Sequence, residues 1–161
     1  HEGALKHVAN PELVSRTHFA RHLVERGFCS HTHEVFQKYL VPGKPGFVPH
    51  QWANLPEAIG WIVGSGGVAV LAHPGRYKLS TLEFAELLAE FRDLGGCGIE
   101  VITSNHSREQ GLRFARAAHR FGLLSSCGSD FHSPSESHFD LGSLPELPPG
   151  CKPLWQHRAL N

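Results

Sequence analysis

Methionine is missing from all 161 residues, and neither sign of charge is in excess: Lys and Arg number 15, as do Asp and Glu. The first absence leads us to expect a processed or truncated chain, or part of a longer protein. The second removes any electrostatic reason to expect bulk nucleic-acid or membrane-surface binding. Long apolar runs are missing too. The longest, Val68 to Ala72, is far short of the ~20 residues that a membrane-spanning helix needs. No basic-then-apolar stretch follows His1 to suggest a signal peptide. The cysteines Cys29, Cys97, Cys127 and Cys151 form no CxxC pair, so reduced thiols in a cytoplasmic protein are expected rather than a disulfide framework. Walker, GxGxxG, G-x-S-x-G and HExxH motifs are all absent.

What the chain has in abundance is histidine. There are 13, roughly three times an ordinary share. Imidazole is both a common metal ligand and a general acid or base, so this excess favours a metal enzyme. The 17 glycines and 11 prolines are spread through a 40% hydrophobic sequence, the composition of a folded domain rather than a disordered or collagen-like chain.

The pattern of elements changes near residue 55. Before it, Ser15 or Thr17 can cap a helix carrying Phe19, Leu23 and Val24, which Gly27 stops. A second helix is expected over Thr32–Leu40, and the three prolines and two glycines of 41–49 force a loop. Residues 1–54 therefore read as a small helical appendage. After it, helix and strand alternate. A helix from Glu57 to Val63 leads to an apolar strand, Val68–Ala72. Ser80 and Glu83 box the start of a helix that precedes a strand over Cys97–Ile102. Ser107 and Gln110 cap another before a strand over Leu123–Cys127. Trp155 is expected to pack the C-terminal segment back on the body. Such alternation with short connections specifies an α/β fold with parallel strands and right-handed crossovers. Three strands leave two raw edges, so a missing N-terminal half or a second chain is expected to complete the sheet.

Each expected strand delivers a histidine just past its carboxyl end, where α/β folds build their sites: His73, His106 and His132. Asp130 and His132, two apart after a Gly-Ser turn, offer a carboxylate and an imidazole, a donor pair suited to Mn, Fe or Zn. His31 and His33 precede a helix with no strand feeding them and read as solvated. Arg16, His18 and Arg21 share a helix, Lys44 sits in the rigid loop and Arg76 follows His73; guanidinium forks of this kind bind phosphate.

Five motifs give these residues a context: Ser15-Arg-Thr-His-Phe-Ala-Arg21, Tyr39-Leu-x-x-Gly-Lys44-x-Gly-x-Val-Pro49, Val70-Leu-Ala-His-Pro-Gly-Arg-Tyr77, Gly98-Ile-Glu-Val101 and Gly128-Ser-Asp-Phe-His132. With them the chain resembles the PHP (polymerase and histidinol phosphatase) family of metal phosphoesterases, in its TrpH-like, or RNase AM, branch. The resemblance implies part of a (β/α)₇ barrel, residues 55–161, interrupted by a helical insertion, residues 1–54. It implies removal of the 3′-phosphate from nucleoside 3′,5′-bisphosphates and trimming of RNA 5′ ends, with a nucleotide bisphosphate or short RNA as partner. It also implies two or three divalent ions, Mn first and Fe or Zn as alternatives. His73, Asp130 and His132 would be the metal and catalytic residues, and Arg16, His18, Arg21, Lys44, Arg76 and His106 would bind substrate. The family's N-terminal ligands are absent from this chain and would precede residue 1, so the chain alone is expected to be inactive. The alternatives are a non-catalytic PHP-like module that binds a nucleotide or partner, or a histidinol-phosphate-type phosphatase.

Overall fold

A computed structural model describes residues 1–131, 134 and 139–160. It resolves into two compact units, His1–Trp52 and Ala53–Asn161.

The first unit is helical. Helix α1 (Glu2–Leu5) and a 3₁₀ turn (Pro11–Leu13) precede α2 (Arg16–Glu25), and α3 (Thr32–Val35) runs on into a π turn (Phe36–Leu40). The single helix expected over Thr32–Leu40 is thus split, because Val41 N–H reaches back to Phe36 O, one residue beyond an α bond. Its cap is His31, which accepts from the Glu34 N–H at 3.2 Å. His31 and His33 are exposed and stacked, 6.3 Å apart. Ala20, Cys29, Val35 and Leu40 form the small core.

The second unit holds a parallel three-stranded sheet in the order β1 (Val70–Leu71), β2 (Gly98–Thr103), β3 (Leu124–Gly128). Helices α4 (Leu55–Gly64), α5 (Thr81–Asp93) and α6 (Arg108–Phe121) precede the three strands in turn. All three begin with capping boxes: Asn54 with Glu57, Ser80 with Glu83 and Ser107 with Gln110. All three also end alike. A glycine at positive φ (Gly66, Gly95, Gly122) lets the next N–H reach back five residues: Gly67 to Ile62, Gly96 to Phe91 and Leu123 to Ala118. At the third helix the wrapped residue is Leu123, so β3 starts one residue later than its apolar run suggests; Cys97, just before β2, is instead bonded to Ala69 O at 3.0 Å. β1 is shortest because His73, at φ 31°, turns the chain immediately afterwards.

Ile99 and Val101 of β2 are fully buried, and around them pack Leu71, Leu88, Phe91, Phe114 and Ala118. At about 25 cal/mol per Å² of apolar surface, this cluster is the main source of the unit's stability. The β3 edge is not raw: Pro153 bridges Ser125 in parallel, and Ser125 N–H donates to Lys152 O at 2.8 Å. Leu154, whose methyl sits over Gly98, anchors that segment, whereas Trp155 is 54% exposed; the packing role expected of Trp155 belongs to its neighbour. All four cysteines are free thiols. No helix among the described residues is long and apolar enough to cross a membrane.

Candidate active site

The three strands end together at one edge of the sheet, and there the ionisable side chains meet. At the end of β1, His73 takes up φ 31° and ψ 58°; after β3, Asp130 takes up φ 51°. These are the non-glycine residues at positive φ among the described ones. A left-handed backbone costs about 1–2 kcal/mol per non-glycine residue, and such strain collects where a side chain must be aimed. The aim can be read for His73: its Nδ1 is buried without a hydrogen-bond partner.

Between them lies Glu100, on β2 where the register with β3 slips between Glu100 and Ile102. A bulge of this kind re-aims a side chain, and Glu100 Oε2 accepts from the His73 N–H at 2.6 Å. Burial pushes the Glu100 carboxyl above the usual carboxylate range, and the His73 N–H only partly offsets this. Gly128 explains itself here. A Cβ at that position would lie 2.7 Å from Glu100 Oε1, so the glycine makes room for the carboxylate; the unusual backbone of the turn is carried by Asp130 itself.

Arg76 Nη2 donates to Asp130 Oδ2 at 2.6 Å. With its amide oxygen turned inward, Asn105 also accepts from Arg76 Nε and Nη2, at 2.6 and 2.7 Å. Tyr77 O–H donates to Ala72 O at 2.8 Å, and burial raises its pKa. His106, expected among the substrate-binding residues, spends both ring nitrogens on the main chain. Nε2 accepts from Gly75 N–H at 3.1 Å and Nδ1 faces Val101 O at 3.0 Å, with the ring against Phe114. One tautomer satisfies both bonds: Nδ1–H donating, Nε2 accepting, the imidazole neutral. Burial lowers its pKa in the same sense.

The structure therefore brings His73, Arg76, His106 and Asp130 into one network. His132 lies outside the described residues. Two members of the network, Glu100 and Asn105, were not foreseen as site residues. Glu100 did leave a signal, as the one acid within an otherwise apolar strand.

In the first unit, Arg16 leads α2, and its guanidinium lies 6.0 Å from the Phe36 ring. It shares the lining of a groove of about 1020 Å³ with Phe19, Phe28, Tyr39, Phe47, His50 and Trp52. Sequence reasoning did not foresee this aromatic lining. His18 closes the capping box of α2, its Nδ1 accepting from the Ser15 N–H at 2.9 Å. Arg21 lies partly buried on the same helix. Lys44 is exposed in a turn where Gly43 takes φ 82° and Gly46 N–H bonds Tyr39 O.

Fold and donors together define an α/β protein with an imidazole–carboxylate–guanidinium site at the carboxyl ends of parallel strands. Its relatives narrow that class. The chain is 52% identical over 155 residues to the 3′,5′-nucleoside bisphosphate phosphatase of Chromobacterium violaceum, covering 96% of this chain and 54% of that protein. It is 45% identical over 155 residues to the 5′-3′ exoribonuclease Rnm of Salmonella typhimurium, with 96% and 52% covered. Among solved structures it is similar to an amidohydrolase of Chromobacterium violaceum with bound sulfate and no metal. That match has a TM-score of 0.86 at 52% identity, over 96% of this chain and 53% of the other. A structure named as a metal-dependent phosphoesterase of Bifidobacterium adolescentis matches at 0.75 and 28%, over 89% and 51%. No family model matches the chain. This chain is thus a homologue of nucleoside bisphosphate phosphatases and 5′-3′ exoribonucleases, and it spans about half the length of the curated relatives it matches.

Proposed function

We propose that the chain carries part of the active site of a divalent-metal-dependent phosphoesterase of the PHP type. Its substrates would be nucleoside 3′,5′-bisphosphates, cleaved at the 3′-phosphate, and RNA 5′ ends. One observation carries the reading: the strained residues, His73 and Asp130, follow the carboxyl ends of parallel strands on either side of the strand that carries the half-buried carboxylate of Glu100. The relatives' names, a nucleoside bisphosphate phosphatase and an exoribonuclease, supply the substrate class. In this reading residues 55–161 form part of a (β/α)₇ barrel and residues 1–54 its helical insertion, with the rest of the barrel and of the metal ligands supplied from outside this chain. Free thiols throughout agree with a cytoplasmic setting.

The donors present fit a cation. His73 offers an unpartnered buried nitrogen, and Glu100 and Asp130 are carboxylates, the first of them partly desolvated. His73, Asp130 and His132 would hold divalent ions, Mn first and Fe or Zn as alternatives. When bound, such ions polarise phosphoryl oxygens and lower the pKa of bound water. Glu100 holds the His73 backbone in its left-handed turn. Arg76, positioned by Asp130 and Asn105, presents a guanidinium to a phosphate oxygen. His106 acts at one remove, tying the Gly75 turn to β2, and is a positioning residue. In the first unit, Arg16 with His18 Nε2 would take the non-reacting phosphate while the aromatic groove receives a base; Arg21 and Lys44 would add positive field.

The test is Asp130→Ala in the complete protein, with bound metal measured by mass spectrometry beside turnover. Metal content and rate should fall together, because an anionic ligand is lost. Unchanged values of both would remove Asp130 from the site.

A further inference from the structure

A second cluster of metal-ligand chemistry lies in the first unit and plays no part in the proposed reaction. His22 and Glu25 sit three residues apart on α2, and His7 reaches them from the turn after α1. Both imidazoles face the same carboxylate oxygen: His7 Nε2 is 3.2 Å and His22 Nδ1 is 3.3 Å from Glu25 Oε2. All three ligand atoms fall within 4.8 Å of one another, and among the described residues this is the group of three such donors so placed.

The spacing suits one ion. A tetrahedral Zn²⁺ with bonds of about 2.1 Å sets its ligand atoms about 3.4 Å apart, close to the two distances here. Two neutral nitrogens and one carboxylate leave the fourth position to water, a donor set that zinc accepts readily. The cluster is also held in place. A Cβ on Gly3 would lie 2.2–2.6 Å from the His22 ring, so α1 carries glycine where that ring docks. Its Nε2 edge rests on Gly3, and Nδ1 is left facing Glu25. His7 and His22 are only about one-fifth exposed, so neither nitrogen is fully committed to solvent.

We infer that His7, His22 and Glu25 form a zinc-binding site that clamps the N-terminal segment onto α2. The site is independent of the phosphoesterase reading. It rests on different residues, and either can fail alone.

Zn²⁺ titration of the metal-stripped full chain tests it, carried out in an Asp130→Ala background so that the candidate active-site ligand is out of the count. One equivalent should bind. His7→Ala and Glu25→Gln should each weaken binding about tenfold or more. Circular dichroism of the metal-free variants checks that they keep their helices, and Glu25→Gln preserves shape where His7→Ala does not. Gly3→Ala, which touches no ligand atom, should also weaken binding by displacing the His22 ring. Co²⁺ in place of zinc should give the visible absorption of a tetrahedral N₂O site, lost in Glu25→Gln. Full affinity and stoichiometry in both His7→Ala and Glu25→Gln would overturn the site, and would leave the three residues as a hydrogen-bonded clamp.

Discussion

Glu100 shows how a single residue can sit at odds with its strand. Burial holds its carboxyl above the usual range, so the folded chain binds a proton more readily there than the unfolded chain does. Its contribution to stability is therefore most favourable at low pH. It declines as pH rises from the ordinary carboxylate value of about 4.3 through the raised folded value. Glu100→Gln keeps an acceptor for the His73 N–H and removes the buried charge. With metal chelated, the variant should be at least as stable as the parent at neutral pH, and the advantage should shrink on acidification. Urea titrations at several pH values would show this; an advantage that grew as pH fell would refute the desolvated-charge account. The same variant should lose turnover in the complete protein. His73 and Asp130 were legible in the sequence because each follows an expected strand and stands in a turn, Pro74-Gly75 after the one and Gly128-Ser129 before the other. Glu100 stood within the Gly98–Val101 motif but was given no role, because the bulge that re-aims it leaves no mark in composition. His106 was visible as a histidine past a strand, but its two main-chain partners could be known only from the fold.

At the level of elements, capping boxes and glycine-closed ends bound the three helices of the second unit. The capping boxes at Ser80 and Ser107 could be read from spacing alone, and the Asn54 box went unnoticed behind Pro56. The start of β3 could not be read, because Leu123 is held in the cap of α6. An apolar residue held in a helix cap and one held in a ladder look the same in sequence. His106 couples two of these elements, joining the turn after β1 to β2. His106→Ala leaves Gly75 N–H and Val101 C=O without their partners and should cost about 1–3 kcal/mol in denaturant unfolding. Its pH dependence runs opposite to that of Glu100. Nε2 must stay unprotonated to accept, and burial lowers the pKa below the ordinary value of about 6.5. The contribution is complete above that pH and is lost as pH falls through the folded pKa. His106→Gln, which cannot titrate, should remove this part of the acid sensitivity; an unaltered acid profile would show that the ring is not the sensor. Helix α2 carries a prediction of its own. Arg16→Ala should cost a nucleoside bisphosphate about 1.5–3 kcal/mol of binding, or roughly ten- to over a hundredfold in kcat/KM. A minimal monoester with no second phosphate should be barely affected. Equal losses on both substrates would mean that Arg16 serves the fold.

At the scale of the whole molecule, the apolar surface left in solvent sets the behaviour in solution. Helix α4 buries Ile59 in the core at 2% exposure, while Trp61, Ile62 and Val63 of its last turn are 66%, 39% and 46% exposed. Three large apolar side chains left in solvent on one turn of helix form a surface that another surface can cover. At one edge of the sheet, β1 offers two residues to β2 and has no second neighbour among the described residues. The chain also spans about half the length of its curated relatives. We therefore expect the 161-residue chain, expressed alone, to associate with itself through α4. Sedimentation velocity over a range of concentrations should show reversible growth in mass, increased by salts that strengthen apolar burial. Trp61→Lys replaces the most exposed of these side chains by a charge and should shift the population towards monomer without loss of helicity, since Trp61 is not part of the core cluster. The open β1 edge would drive association differently, through backbone pairing that a substitution on α4 does not touch. Association that persists undiminished in Trp61→Lys would assign it to that edge. A parent chain that stays monomeric at high concentration would show that neither surface is an interface.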